Sequence, residues 1–150
     1  MVPVENNGVY SMALRVRHIL DQLSVDNGLI AGMGQFPRGC CGSISQILAR
    51  ILIKYGYHVE DVVAANHVDD HNETHSWVDL GGGVSLDITG DQDGDRPHVF
   101  LGPEDEWFCK WARDSAGGIT SLNPVEKELF DRIVATLEDE NSSSEEISGD

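Results

Sequence analysis

Basic side chains are scarce in this chain: 10 lysines and arginines stand against 26 aspartates and glutamates, a formal charge of −16. Six of the acids, with no base among them, fall in residues 138–150, and the rest of the chain still holds 20 acids against 10 bases. Acidity spread this widely repels polyanions. It speaks against nucleic acid or an anionic membrane surface as a partner and leaves basic or neutral ones. Cysteine is also sparse. There are three, an odd number, and Cys40 and Cys41 are neighbours that cannot easily bridge each other. A disulfide scaffold gives way to free thiols and a reducing compartment. No apolar run approaches the ~20 residues needed to cross a bilayer. Residues 1–8 show no basic region followed by an apolar one, as a secretory signal would. The expectation is a soluble, cytoplasmic protein with no membrane partner.

What is present is enough for one core. At 150 residues the chain reads as a single domain over 1–140, followed by an acidic, Ser/Glu-rich segment over 141–150 that is expected to be disordered. Met12, Ala13, Val16, Ile19, Leu20 and Leu23 recur at helical intervals, with Arg15, Arg17, Asp21 and Gln22 on the opposite, polar face. Residues 28–42 hold five glycines and Pro37 and read as a loop. Ser43 is placed to cap a second helix, whose stripe Ile44, Ile47, Leu48, Ile51, Leu52, Tyr55 ends at Gly56. A strand is expected over 59–65. Residues 74–80 and 84–88 alternate around Gly81-Gly82-Gly83 and read as a β-hairpin. A short strand over 98–101, a helix over 104–113 with Cys109 in the core, and a helix begun by Asn123-Pro124-Val125-Glu126 complete the chain. The class is α+β.

Gly39-Cys40-Cys41-Gly42-Ser43 sits where that second helix begins. Unpaired N–H groups and the helix dipole stabilise a thiolate there. His75 on one strand and Asp87 on the next follow in order. If Leu80 opposes Val84, Trp77 opposes Asp87 and His75 is its diagonal neighbour on the same face, within contact range. Cys, His and Asp divide the labour of acyl transfer: attack, proton shuttling, and fixing of the imidazole's tautomer. Cys40 is the rival nucleophile or a packed turn residue. His67, His71 and His75 with Asp69 and Asp70 suggest a metal site, but four-residue spacing aligns ligands only on a helix. The stretch lacks helical periodicity and reads as a solvated loop. Asp91, Asp93 and Asp95 lack the remaining ligands of a calcium loop. No metal or cofactor is expected.

The run Phe36-Pro37-Arg38-Gly39-Cys40-Cys41-Gly42, the segment His75-Ser76-Trp77-Val78-Asp79 and the run Leu86-Asp87-Ile88-Thr89-Gly90-Asp91-Gln92 together resemble a transglutaminase-like, papain-fold group of small bacterial proteins. The likeness covers about residues 34–110, and most of its specificity lies in the order and spacing of short motifs. It implies a central helix carrying the cysteine, packed on an antiparallel sheet carrying the histidine and the acid. It maps the nucleophile to Cys41, the base to His75 and the orienting acid to Asp87. Where such sequences often carry Asp after Cys-Gly, this chain has Ser43, which keeps a capping residue and removes a charge. By similarity to papain-like enzymes, Gln35 would help hold the oxyanion, unless it is an ordinary loop glutamine. Gln92 and Trp77 would line the site, Trp77 otherwise belonging to the core. The implied activity is thiol-dependent acyl transfer: peptide or amide hydrolysis, deamidation, or transglutaminase-type exchange on a protein, peptide or amide substrate, a basic one being favoured. The alternative is a non-catalytic acidic binding or immunity-type protein that retains the fold.

Overall fold

The computed structural model describes residues 7–27, 41–70, 72–93, 96–114 and 117–148. The apolar stripes become three helices among these residues: α1 (Asn7–Asn27), α2 (Cys41–Lys54) and α3 (Pro124–Ser148). Between α2 and α3 run β1 (Asp61–His67), β2 (Thr74–Gly81), β3 (Val84–Asp87), β4 (Phe100–Pro103) and β5 (Trp111–Arg113). They form one antiparallel sheet in the order β4-β3-β2-β1-β5. The architecture is mixed α+β.

Alternation gives the sheet two different faces. Val62, Val78, Leu80 and Leu86 pack against Val16 and Leu20 of α1, Ile44, Ile47, Leu48 and Ile51 of α2, and Leu129, Ile133 and Leu137 of α3. Each such side chain contributes about 1.5–3 kcal/mol by leaving water. The other face holds Val63, Ala65 and Trp77 under Phe108 and Trp111, with Phe100 and Trp107 at the margin. This smaller aromatic layer holds His75.

Several local readings are corrected by long-range contacts. α2 begins at Cys41, so Ser43 is not its cap but the third residue of the helix. β1 extends to His67 because β5 pairs with its end, Ala65 opposite Arg113 and His67 opposite Trp111. The expected helix over 104–113 is a 3-10 helix, Glu106–Lys110, that runs straight into β5. Its rotation leaves Cys109 exposed, not in the core. Arg17 is 6% exposed despite its place on the polar face of α1. The α3 backbone stays helical through Ser148, where a structureless segment is expected from 141. Glutamate is a good helix former, and no glycine or proline interrupts before Gly149.

Candidate active site

β2 and β3 position His75 and Asp87. Val78 pairs with Leu86 and Asp79 with Ser85, the register in which Trp77 faces Asp87 and His75 lies diagonally from it. Only the turn departs from the simple hairpin. Val84 pairs with Gly81, not Leu80, and Gly81, Gly82 and Gly83 absorb the bulge at φ of 86°, 62° and 80°, where only glycine is unstrained. The Asp87 Oδ2 atom accepts a 2.7 Å hydrogen bond from His75 Nε2. Both residues are buried, at 1% and 2% exposure.

Each oxygen of Asp87 has its own task. Oδ1 accepts from the backbone N–H of Thr89 at 2.9 Å and from its hydroxyl at 3.4 Å, which leaves Oδ2 for the imidazole. A Cβ added to Gly90 would lie 3.0 Å from Oδ2, so this glycine lets the backbone turn tightly around the carboxylate. Since an ionised carboxylate only accepts, Nε2 carries the proton and Nδ1 is left to deal with the thiol. Cys41, half-buried at the start of α2, lies within hydrogen-bonding reach of His75. The tip of α2 meets the start of β2, where the Ser76 Oγ atom is 3.9 Å from the place a Gly42 Cβ would take.

Burial is the largest influence on His75, and it disfavours the imidazolium. The hydrogen bonds to Asp87 and Cys41, together with their negative charge, outweigh it and raise the pKa from 6.5 to about 9. The imidazole is boxed by indoles: Trp111 at 5.3 Å and 31°, Trp77 at 5.9 Å and 32°, and Trp107 edge-on at 5.3 Å and 87°. The indole N–H groups of all three are buried and have no acceptor among the described residues. Trp77 therefore belongs both to the aromatic core and to the wall of the site.

The remaining candidates separate. Cys40 and Gln35 lie outside the described residues, as does the Gln92 side chain, although its backbone forms part of the 3-10 turn Gly90–Asp93 that follows Asp87. Among the described residues, no three histidine, cysteine or carboxylate side chains are grouped to hold a metal ion. His67 instead accepts from the Asp69 N–H at 3.0 Å and packs edge-on against Trp111. A surface concavity of about 570 Å³ lies elsewhere on the protein, over Asp79, Ser85, Glu104 and Arg113, and none of Cys41, His75 and Asp87 lines it. The hydrogen-bonding influence of Cys41 on His75 outweighs a hollow that none of the three lines. Three contributors are given no role by the motif reading. Trp111 reaches His75 through the pairing of β5, Gly90 acts by having no side chain, and Arg17 looks solvated on its helix.

No family model, curated protein or solved structure matches this chain. A functional reading therefore rests on the geometry of the site.

Among the described residues, no helix is long and apolar enough to cross a membrane.

Proposed function

We propose that the chain catalyses thiol-dependent acyl transfer, with Cys41 as nucleophile, His75 as proton carrier and Asp87 as the acid that orients it. The observation that carries this reading is the buried 2.7 Å contact between Asp87 Oδ2 and His75 Nε2, with the other side of the imidazole toward a cysteine at a helix start. His75 Nδ1 already holds the proton taken from the thiol, since the imidazolium persists up to about 9, and the Cys41 sulfur attacks the carbonyl carbon as a thiolate. The same nitrogen then protonates the departing amine, leaving a thioester. Water as acceptor gives hydrolysis or deamidation, and an amine gives exchange. The order of elements, a cysteine-bearing helix on a sheet bearing histidine and aspartate, supports the transglutaminase-like, papain-like resemblance. The charge of −16 favours a basic polypeptide as substrate.

Alkylation by iodoacetamide near neutral pH tests the reading. Cys41→Ala is expected to abolish the fast-reacting thiol and Cys40→Ala to leave it. His75→Ala should slow it by roughly 100-fold, in the range of a lost proton-transfer partner. Equal reactivity in the parent, Cys41→Ala and His75→Ala chains would overturn the proposal and favour an acidic binding protein that keeps only the fold.

A further inference from the structure

A buried cation lies on α1, on a different helix from the cysteine. Arg17 is 6% exposed, and its guanidinium is spent almost entirely on the segment that follows β3. Nη1 donates to the Ile88 carbonyl at 2.8 Å, to Asp91 Oδ1 at 2.8 Å and to the His98 carbonyl at 3.3 Å, and Nη2 donates to Asp91 Oδ2 at 2.8 Å. Nε holds Asp21 of α1 itself at 3.0 Å. A buried arginine costs several kcal/mol in lost hydration, so such a group is retained where its geometry is fully used.

Two of the contacts described above share one peptide plane. The Ile88 carbonyl accepts from Arg17, and the N–H of that same peptide unit, on Thr89, donates to Asp87 Oδ1 at 2.9 Å. A peptide unit is planar and rigid, so whatever fixes its carbonyl fixes its N–H. A cation on the carbonyl also polarises the unit and strengthens the N–H as a donor. The chain of contact therefore runs from the guanidinium through one peptide to Oδ1, through the carboxylate to Oδ2, and on to His75 Nε2.

We propose that Arg17 is the positioning residue for the acid of the Cys41–His75–Asp87 set, clamping the Ile88–Thr89 peptide and Asp91 so that the Asp87 carboxylate presents Oδ2 to the imidazole. The inference rests on the acyl-transfer reading for its functional meaning and on hydrogen bonds for its mechanics. It makes α1 part of the site, although α1 contributes none of the three reacting groups. Among the described residues, the charged groups facing His75 include Asp87 and Cys41, and those facing Arg17 include Asp21 and Asp91. None of these carboxylates is replaced in Arg17→Lys, which keeps the charge and loses the two-pronged geometry.

The test follows the His75 ring by NMR across pH, with iodoacetamide alkylation of Cys41 beside it, in the parent, Arg17→Lys and Asp91→Asn chains. Release of the peptide plane is expected to lower the His75 midpoint by one pH unit or more in Arg17→Lys and to slow alkylation at least tenfold at neutral pH. Asp91→Asn, at a side chain 23% exposed, keeps the guanidinium in place and should show a smaller shift in the same direction. It carries the test if the lysine variant does not fold. Variants that lose stability but keep the parent midpoint and rate would reduce Arg17 to a scaffold role and overturn the proposal. A shifted midpoint in a chain whose Cys41 reactivity ignores His75→Ala would uphold the clamp and sink the acyl-transfer reading instead.

Discussion

His75 is the residue at which opposing influences meet. Burial pushes its imidazole toward neutrality, while Asp87 and Cys41 pull it toward the cation and prevail, at about 9. Asp87→Asn keeps the shape of the acid and removes its charge, leaving burial less opposed. The His75 midpoint should then fall well below that of the parent, and the ring resonances in an NMR titration would show it. An unchanged midpoint would mean that Asp87 does not govern the ring. Gly90 makes the same point through volume. Its missing Cβ would stand 3.0 Å from Oδ2, closer than the carboxylate can tolerate without moving. Gly90→Ala should cost about 1–3 kcal/mol of stability, the range for overpacking a tight site, and slow Cys41 alkylation along with it. Chemical denaturation and alkylation kinetics on one preparation check both halves.

At the scale of elements, the placement of Cys41 depends on how α2 meets α3. The Ser43 hydroxyl, in the first turn of α2, donates to Glu126 Oε2 at 2.7 Å, while Glu126 Oε1 accepts the Asn123 N–H at 3.0 Å and the Asn123 side chain accepts the Glu126 N–H at 2.8 Å. The capping box that starts α3 thus also ties down the turn bearing the cysteine. Ser43→Asp would set two carboxylates against each other and should destabilise the fold and slow alkylation. Adding Glu126→Gln restores a donor–acceptor pair and should recover much of both losses. No recovery in the double variant would show that the tether does not hold Cys41. The Asn123–Glu126 box was legible from spacing of three, as were the helix stripes and the hairpin that joins His75 to Asp87, because each is a local pattern. What escaped is non-local. β5 is a three-residue strand that exists only by pairing with β1, and its Trp111 reaches His75 through that pairing. Arg17 shows a polar side chain on a polar helix face, yet apart from Asp21 the partners given above lie 71 to 81 residues on. Ser43 reads as a cap from its own neighbours, and only α3 gives it a different role.

For the whole molecule, the raised pKa of His75 makes stability depend on pH in a direction that can be worked out. The folded chain holds the His75 proton up to about 9, the unfolded chain only to about 6.5. Between those values the native state binds more protons, so stability falls as pH rises. The contribution is complete below pH 6.5 and gone above about 9, and at one pKa unit per ~1.4 kcal/mol it is at most on the order of 3 kcal/mol. General self-repulsion of a chain at −16 works in the same direction, because the net charge grows more negative as pH rises. Salt separates the two. At about 1 M the screening length shrinks to about 3 Å, which quenches repulsion between exposed charges and leaves the buried His75–Asp87 contact nearly untouched. Urea unfolding at pH 6 and pH 9 in high salt should therefore still show the loss in the parent chain. His75→Gln, which can keep a hydrogen bond to Asp87 but cannot titrate, should show little of it. A parent chain whose pH dependence vanished in salt would trace the effect to the acidic surface and remove the buried imidazolium as its source.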